Sequence, residues 1–140
     1  MTDKRIAAIR LRGMHDVNPD TRETLKSLRL LRCNYCVVLH DTPSTRGMLQ
    51  RAKDRITWGS IDDATYALLV SKRGEPYSGR TEGYHERKFI EVQGKRIKPF
   101  FRLNPPTGGF ERKGIKTPKS IGGALGARKD INELIRRMVG

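Results

Sequence analysis

Ile6, Ala8, Ile9 and Leu11 lie among Lys4, Arg10 and Arg12, and this alternation predicts a short strand over 4–12. Asn18-Pro19 has the grammar of a helix start, a capping side chain followed by Pro at the first helical position. Leu25 and Leu28 follow at helical spacing with Leu31 next on the stripe, and the helix ends before Cys33. Tyr35, Val37 and Leu39 alternate with Cys36, Val38 and His40, which suits a central strand. Thr42-Pro43 opens a second helix carrying Met48, Leu49 and Ala52. Gly47 inside it costs about 1 kcal/mol relative to Ala and suggests a close backbone approach or an early helix end. Ile56-Thr57-Trp58 reads as a third strand closed by Gly59. Ser60 with Asp63 then forms a capping pair for a third helix. Its apolar side is Ile61, Ala64, Ala67, Leu68 and Val70, and Gly74 ends it.

Residues 4–74 therefore read β-α-β-α-β-α, an α/β (α+β) two-layer domain with helices on one face of a small sheet. Residues 75–87 are polar and read as loop. Phe89, Ile90 and Val92, then Gln93-Gly94, then Ile97, predict a hairpin. From Leu103 to Gly126 six Gly and three Pro leave no apolar periodicity, so this stretch is expected to order on a partner. Ile131, Leu134, Ile135 and Met138 have the spacing of an amphipathic helix, with Asp130 as its expected cap. The expected organisation is a compact core over 1–74, a variable loop and hairpin over 75–98, and a basic arm over 99–140 that ends in this helix.

Charge sharpens that division. The chain of 140 residues carries 29 Lys+Arg against 15 Asp+Glu, a net charge of +14. Residues 1–94 hold 17 basic and 12 acidic side chains, whereas 95–140 hold 12 and 3. Such an excess repels itself in a compact domain and points to a polyanionic partner, of which nucleic acid is the commonest. No apolar run is long enough to span a bilayer, and neither a basic amphipathic helix nor a lipidation motif argues for a membrane surface. With no secretory signal at the N-terminus, a cytoplasmic protein is expected.

Candidate chemistry is sparse. Cys33 and Cys36 form a lone C-x-x-C, but a zinc site needs four ligands and the histidines His15, His40 and His85 are scattered. Two buried, unlinked thiols are expected instead. Asp62-Asp63 belongs to a helix's first turn, where the macrodipole accounts for it. His40 beside Asp41 reads as a strand end, and no serine lies in a nucleophile turn. No catalytic constellation, cofactor, metal site or small-molecule substrate is expected. Gly114-Ile115-Lys116-Thr117 lacks the spacing of a phosphate loop. The glycines still let backbone amides approach phosphates, so an RNA-backbone clamp and a basic linker both remain open. Arg102, Arg112, Lys113, Lys116 and Lys119 are the cations expected on phosphates. Phe110, Phe100 and Phe101 could stack on bases, although one of Phe100 and Phe101 should face inward. Trp58 stays open between core and stacking.

Several stretches resemble a known family. Asp41-Thr42-Pro43-Ser44-Thr45-Arg46-Gly47-Met48-Leu49-Gln50, Ile56-Thr57-Trp58-Gly59, Arg102-Leu103-Asn104-Pro105-Pro106-Thr107-Gly108-Gly109-Phe110, and Gly122-Gly123-Ala124-Leu125-Gly126 followed by Ile131-Asn132-Glu133-Leu134-Ile135 resemble the archaeal branch of the L-thirty family of large-subunit ribosomal proteins. The resemblance implies a β-α-β-α-β core similar to a truncated ferredoxin-like fold, with a three-stranded antiparallel sheet. It implies large-subunit rRNA and neighbouring ribosomal proteins as partners, and no catalysis. By position it assigns RNA contacts to Arg46, Gly47, Arg102, Asn104, Pro105, Pro106, Gly108, Gly109 and Phe110. Thr107 stands where the family usually has Arg, Asn104 where it has His, and Cys33 where it has Val. Residues 75–98 are shorter than the family's usual insert. Two other readings are a free nucleic-acid-binding or assembly protein, and a thiol or metal enzyme using Cys33 and Cys36.

Overall fold

The computed structural model describes residues 5–13, 18–30, 32–76, 90–92, 95–98, 100–109, 114–115, 118 and 122–139. Strand β1 (Arg5–Arg10) is the middle of the sheet and pairs antiparallel with β2 (Tyr35–His40) on one side and β3 (Ile56–Ile61) on the other. Ala7 faces Val38 across one ladder and Gly59 across the other. A strand flanked on both edges and covered on both faces must be apolar throughout, and Ile6 to Ile9 are all buried.

Local hydrogen bonding explains the helices between these strands. Asn18 accepts from the amides of Asp20 and Thr21 at 2.8 and 3.1 Å and starts α1 (Pro19–Ser27). Thr42 accepts from the Thr45 amide at 3.2 Å and starts α2 (Pro43–Arg51). Helix α3 (Asp63–Arg73) is capped by Asp62, which accepts from the Thr65 amide at 2.7 Å. The expected Ser60–Asp63 pair is therefore displaced. β3 does not close at Gly59 but runs on through Ser60 to Ile61, so the cap falls two residues later. The buried stripe of α3 shifts accordingly to Thr65 and Leu69, with Ile61, Leu68 and Val70 partly buried and Ala64 and Ala67 exposed. Two alanines offer little apolar area to the core, and the larger Leu69 takes the central position.

The second half of the chain completes the sheet. β4 (Ile90–Val92) and β5 (Lys95–Ile97) form the expected hairpin as a separate two-stranded unit. β6 (Phe101–Arg102) adds antiparallel to β2, and β7 (Gly126–Ala127) adds parallel to β3, giving the order β6-β2-β1-β3-β7. The amphipathic stripe over the C-terminus forms α4 (Ile131–Val139), with Ile131, Leu134, Ile135 and Met138 fully buried. Each such side chain gains roughly 1.5–3 kcal/mol by leaving water.

The mixed α/β class and the small antiparallel core agree with the sequence reading, but the helices occupy both faces. Ile6, Ala8 and Val37 pack with Leu25, Leu28, Leu30 and Leu49, the layer of α1 and α2. Ala7, Ile9, Leu11 and Cys36 pack with Leu69, Phe101 and the buried side of α4. Two layers describe residues 5–61, and α3 with α4 adds a third. Gly59 marks the closest approach of that third layer: a Cβ there would lie 2.3 Å from the Arg128 carbonyl oxygen and about 3 Å from Ile131.

Candidate nucleic-acid interface

The resemblance pointed first to the opening turn of α2. Arg46 is exposed, and its Nε and Nη2 donate to the two carboxylate oxygens of Asp41 at 2.6 and 2.8 Å. This bidentate pair fixes the guanidinium plane against the strand end and leaves Nη1 out of the pair. The hydrogen bonds and charge of Asp41 hold the Arg46 proton more firmly than usual. Gly47, next to it, is exposed, and a Cβ there would meet nothing within 4 Å. Neither explanation expected for this glycine holds within the described residues. No neighbouring segment approaches it, and the helix continues to Arg51.

Arg102 lies in the edge strand β6 and is also exposed. Its Nε donates to Glu75 at 2.6 Å, and Lys98 lies 3.2 Å from the same carboxylate. Burial pushes Glu75 upward, but the hydrogen bonds and charges of Arg102 and Lys98 outweigh this and hold it below its ordinary value. Arg102 and Glu75 rim an open cleft of about 340 Å³ together with Lys72, Arg73 and Asn104. Both described cations that the sequence placed on phosphates or at the RNA contact thus carry a carboxylate partner.

The segment from Leu103 to Gly109 departs from the expected free arm. A helix leaves its last carbonyls without intrahelical donors. Here the amide of Asn104 donates to Met138 and that of Thr107 to Arg137, at 3.0 and 3.1 Å, while Arg73 Nε donates to Val139 at 2.9 Å. Arg137 in turn donates through Nη1 to the carbonyl of Gly109 at 3.0 Å. The Pro-Pro-Thr-Gly-Gly run is therefore a C-terminal clasp on α4. Gly108 and Gly109 have φ of 85 and 82°, a region that L side chains rarely adopt. Asn104, Pro105, Gly108 and Gly109 are exposed, but Pro106 is buried, so its expected RNA contact is corrected to a packing role. Phe110, Arg112, Lys113, Lys116 and Lys119 lie outside the described residues, as do His15, His85 and Leu31. Arg73 and Arg137 were not singled out in the sequence, because a tertiary cap leaves no local signature.

The other candidates resolve simply. Cys36 is buried and its thiol is pushed up to about 12 by burial, whereas Cys33 is exposed in the turn before β2, which corrects the expectation of two buried thiols. Phe101 is the inward member of its pair, and Phe100 stacks on Tyr35 with ring centroids 4.9 Å apart. Trp58 is half-buried against the α1–α2 layer. Among the described residues no cluster of His, Cys, Asp and Glu could hold a metal ion, and no helix is long and apolar enough to cross a membrane.

Comparison with known proteins agrees with this frame. The family model for Ribosomal protein L30p/L7e matches residues 6–56. The large ribosomal subunit protein uL30 of Methanopyrus kandleri is 44% identical, over 92% of this chain and 100% of that protein. Those of Nanoarchaeum equitans and Ignicoccus hospitalis are 43% and 39% identical, over 95% and 99% of this chain and 97% and 100% of theirs. With identity at this level sustained across nearly the whole of both partners, the chain belongs to the uL30 family of large ribosomal subunit proteins.

Proposed function

We propose that this protein is a non-enzymatic structural constituent of the large ribosomal subunit, bound to large-subunit rRNA beside neighbouring ribosomal proteins. The observation that carries the RNA contact is Gly47. A mid-helix glycine is unfavourable by about 1 kcal/mol, it is exposed, and nothing within the described chain approaches it. Its lack of a side chain lets an outside partner reach the helix backbone, and Arg46 stands beside it, oriented by Asp41. In this reading 1–74 is the core, 75–98 a variable hairpin region, and 99–140 the basic extension. Within that extension Arg102, Asn104, Pro105, Gly108 and Gly109 face outward, and Phe110, Arg112, Lys113, Lys116 and Lys119 continue the contact with phosphates and bases.

Sedimentation of a cell lysate through a high-salt sucrose gradient tests the role. The expected result is migration with the large subunit in roughly one-to-one amount with other core proteins. A pool that stays near the top of the gradient refutes it and favours a free RNA-binding or assembly protein. For the contacts, Lys116→Gln and Arg102→Gln are each expected to reduce the slope of log affinity against log salt by about one unit. Unchanged slopes refute those two assignments.

A further inference from the structure

We infer that the end of the sheet where β1 finishes and β2 and β3 begin is a second RNA-phosphate-binding surface, built by Arg12, Arg29, Arg32, Lys53 and Arg55. This rests on the rRNA-binding reading above but uses none of its residues. The antiparallel order places three connections at this one end: the turn after β1, the α1–β2 loop and the α2–β3 turn. Among the described residues of these connections, 11–13, 28–30, 32–34 and 52–55, there are five cations and one carboxylate, Asp54. The charge balance at the opposite end is reversed: among the described residues there, Arg5 and Arg46 stand with Asp41, Asp62 and Asp63.

Hydrogen bonds tie the connections of the cationic end together. Arg10, buried beneath it, donates through Nε to the Arg12 carbonyl at 2.8 Å and through Nη1 to the Leu30 carbonyl at 3.0 Å, tying the first two connections together. The Arg55 carbonyl accepts from the amides of Leu11 and Arg12 at 2.9 and 3.3 Å, which ties in the third. Burial lowers the Arg10 pKa, with Cys33 raising it and Arg55 lowering it, so the positive charge of Arg55 is felt at the buried guanidinium. Like charges held together in the free chain lose little freedom when they meet a row of phosphates.

Arg29 adds an independent observation. The Arg29 amide donates to Lys26 and the Leu30 amide to Leu25, both at 3.0 Å, which is a Schellman ending for α1 with Arg29 in its left-handed position. Arg29 has φ of 63°, where glycine is the residue the backbone favours. Cations near a helix C-terminus complement its dipole, which accounts for a positive charge nearby. It does not account for placing that charge on a residue whose backbone disfavours a side chain.

The full chain supplies its own footprint, because Cys33 is exposed within this surface and Cys36 is buried. Binding of protein-free large-subunit rRNA is to be measured across a potassium chloride series for the natural chain, for the double variant R32Q/K53Q, and for Arg29→Gly. Alkylation of Cys33 by N-ethylmaleimide is to be followed with and without that RNA. The double variant is expected to lose about 1.4–1.8 units of salt slope, at roughly 0.7–0.9 per phosphate contact. Arg29→Gly is expected to bind more weakly while its thermal midpoint holds or rises. The RNA is expected to slow Cys33 alkylation about tenfold, with Cys36 unreactive throughout. If the natural chain binds but the double variant keeps its slope and Cys33 alkylates at the free rate, this surface is overturned and the ribosomal reading stands. Protection of Cys33 only in assembled subunits would assign the surface to a neighbouring protein and overturn the RNA proposal. No binding of rRNA by the natural chain would sink both.

Discussion

The two faces of the sheet are built from different stretches of chain. The buried residues of the face under α1 and α2 all fall within 6–56, the stretch that the L30p/L7e family model matches, with Trp58 and Phe100 packed at their margin. The other face is covered by α3 and α4, and its seams join residues far apart in sequence. Arg128 donates to the Trp58 carbonyl at 2.8 Å, the Asn132 side chain accepts from the Asp62 amide at 3.0 Å, and Arg73 donates to Val139. A β-α-β-α-β unit alone would leave Ala7, Ile9, Leu11 and Cys36 facing water. The chain after β3 supplies their cover, so the basic extension serves packing as well as charge. One segment does both: residues 104–109 cap α4 with their amides and present Asn104, Pro105 and the glycines outward.

The sharpest way to break this asymmetry is Gly59→Ala. The added methyl would collide with the Arg128 backbone, so α4 must shift or the strand must bend. The expected loss is about 3 kcal/mol, roughly a 12 °C fall in the thermal midpoint. A fall of only a degree or two would mean that the far layer is loosely attached. Arg10→Ala probes the other face. It removes a buried guanidinium that donates to the Arg12 and Leu30 carbonyls. The expected loss is about 2 kcal/mol, read in the same melting experiment. A larger loss than for Gly59→Ala would reverse the order of the two faces. The smallest effect belongs to Asp62→Ala, which unfastens the start of α3 and should lower the midpoint by a few degrees. Hydrogen bonding from Thr65 holds the Asp62 carboxyl below its ordinary value of 3.8. A carboxyl lowered in the folded state stabilises it above the ordinary value and loses that contribution as pH falls through the lowered one. The difference between Asp62→Ala and the natural chain should therefore shrink in acid below pH 3.8. A difference that persists unchanged there would show that the cap acts without its charge.

The candidate interface was picked out in the sequence chiefly through its resemblance to the archaeal L-thirty motifs. Arg46, Gly47 and the Pro-Pro and Gly-Gly run came from that resemblance, and the structure leaves most of the described ones exposed. Pairing was not legible. Arg102 and Glu75 are 27 positions apart, and only the return of β6 to the edge of β2 brings them together. The cationic end of the sheet escaped for a related reason. Its five cations are spread over three connections, so a count along the chain dilutes them among Asp16, Asp20, Glu23 and Asp41, whereas antiparallel pairing gathers them.

What the sequence by itself determined is whatever acts over a few residues. The caps at Asn18 and Thr42, the strands from Arg5 and Tyr35, and the i, i+3, i+4, i+7 stripe of α4 all follow from neighbours within one or two turns. The tertiary structure alone decided where β3 ends, since Gly59 and Ser60 belong to a strand only because β1 and α4 lie against them. It also decided that Arg10 is buried and Cys33 exposed, against the ordinary preferences of both side chains. The physical reason is that burial and the pairing of charges depend on which surfaces meet, and a surface formed by segments far apart in the chain has no local signature in either of them.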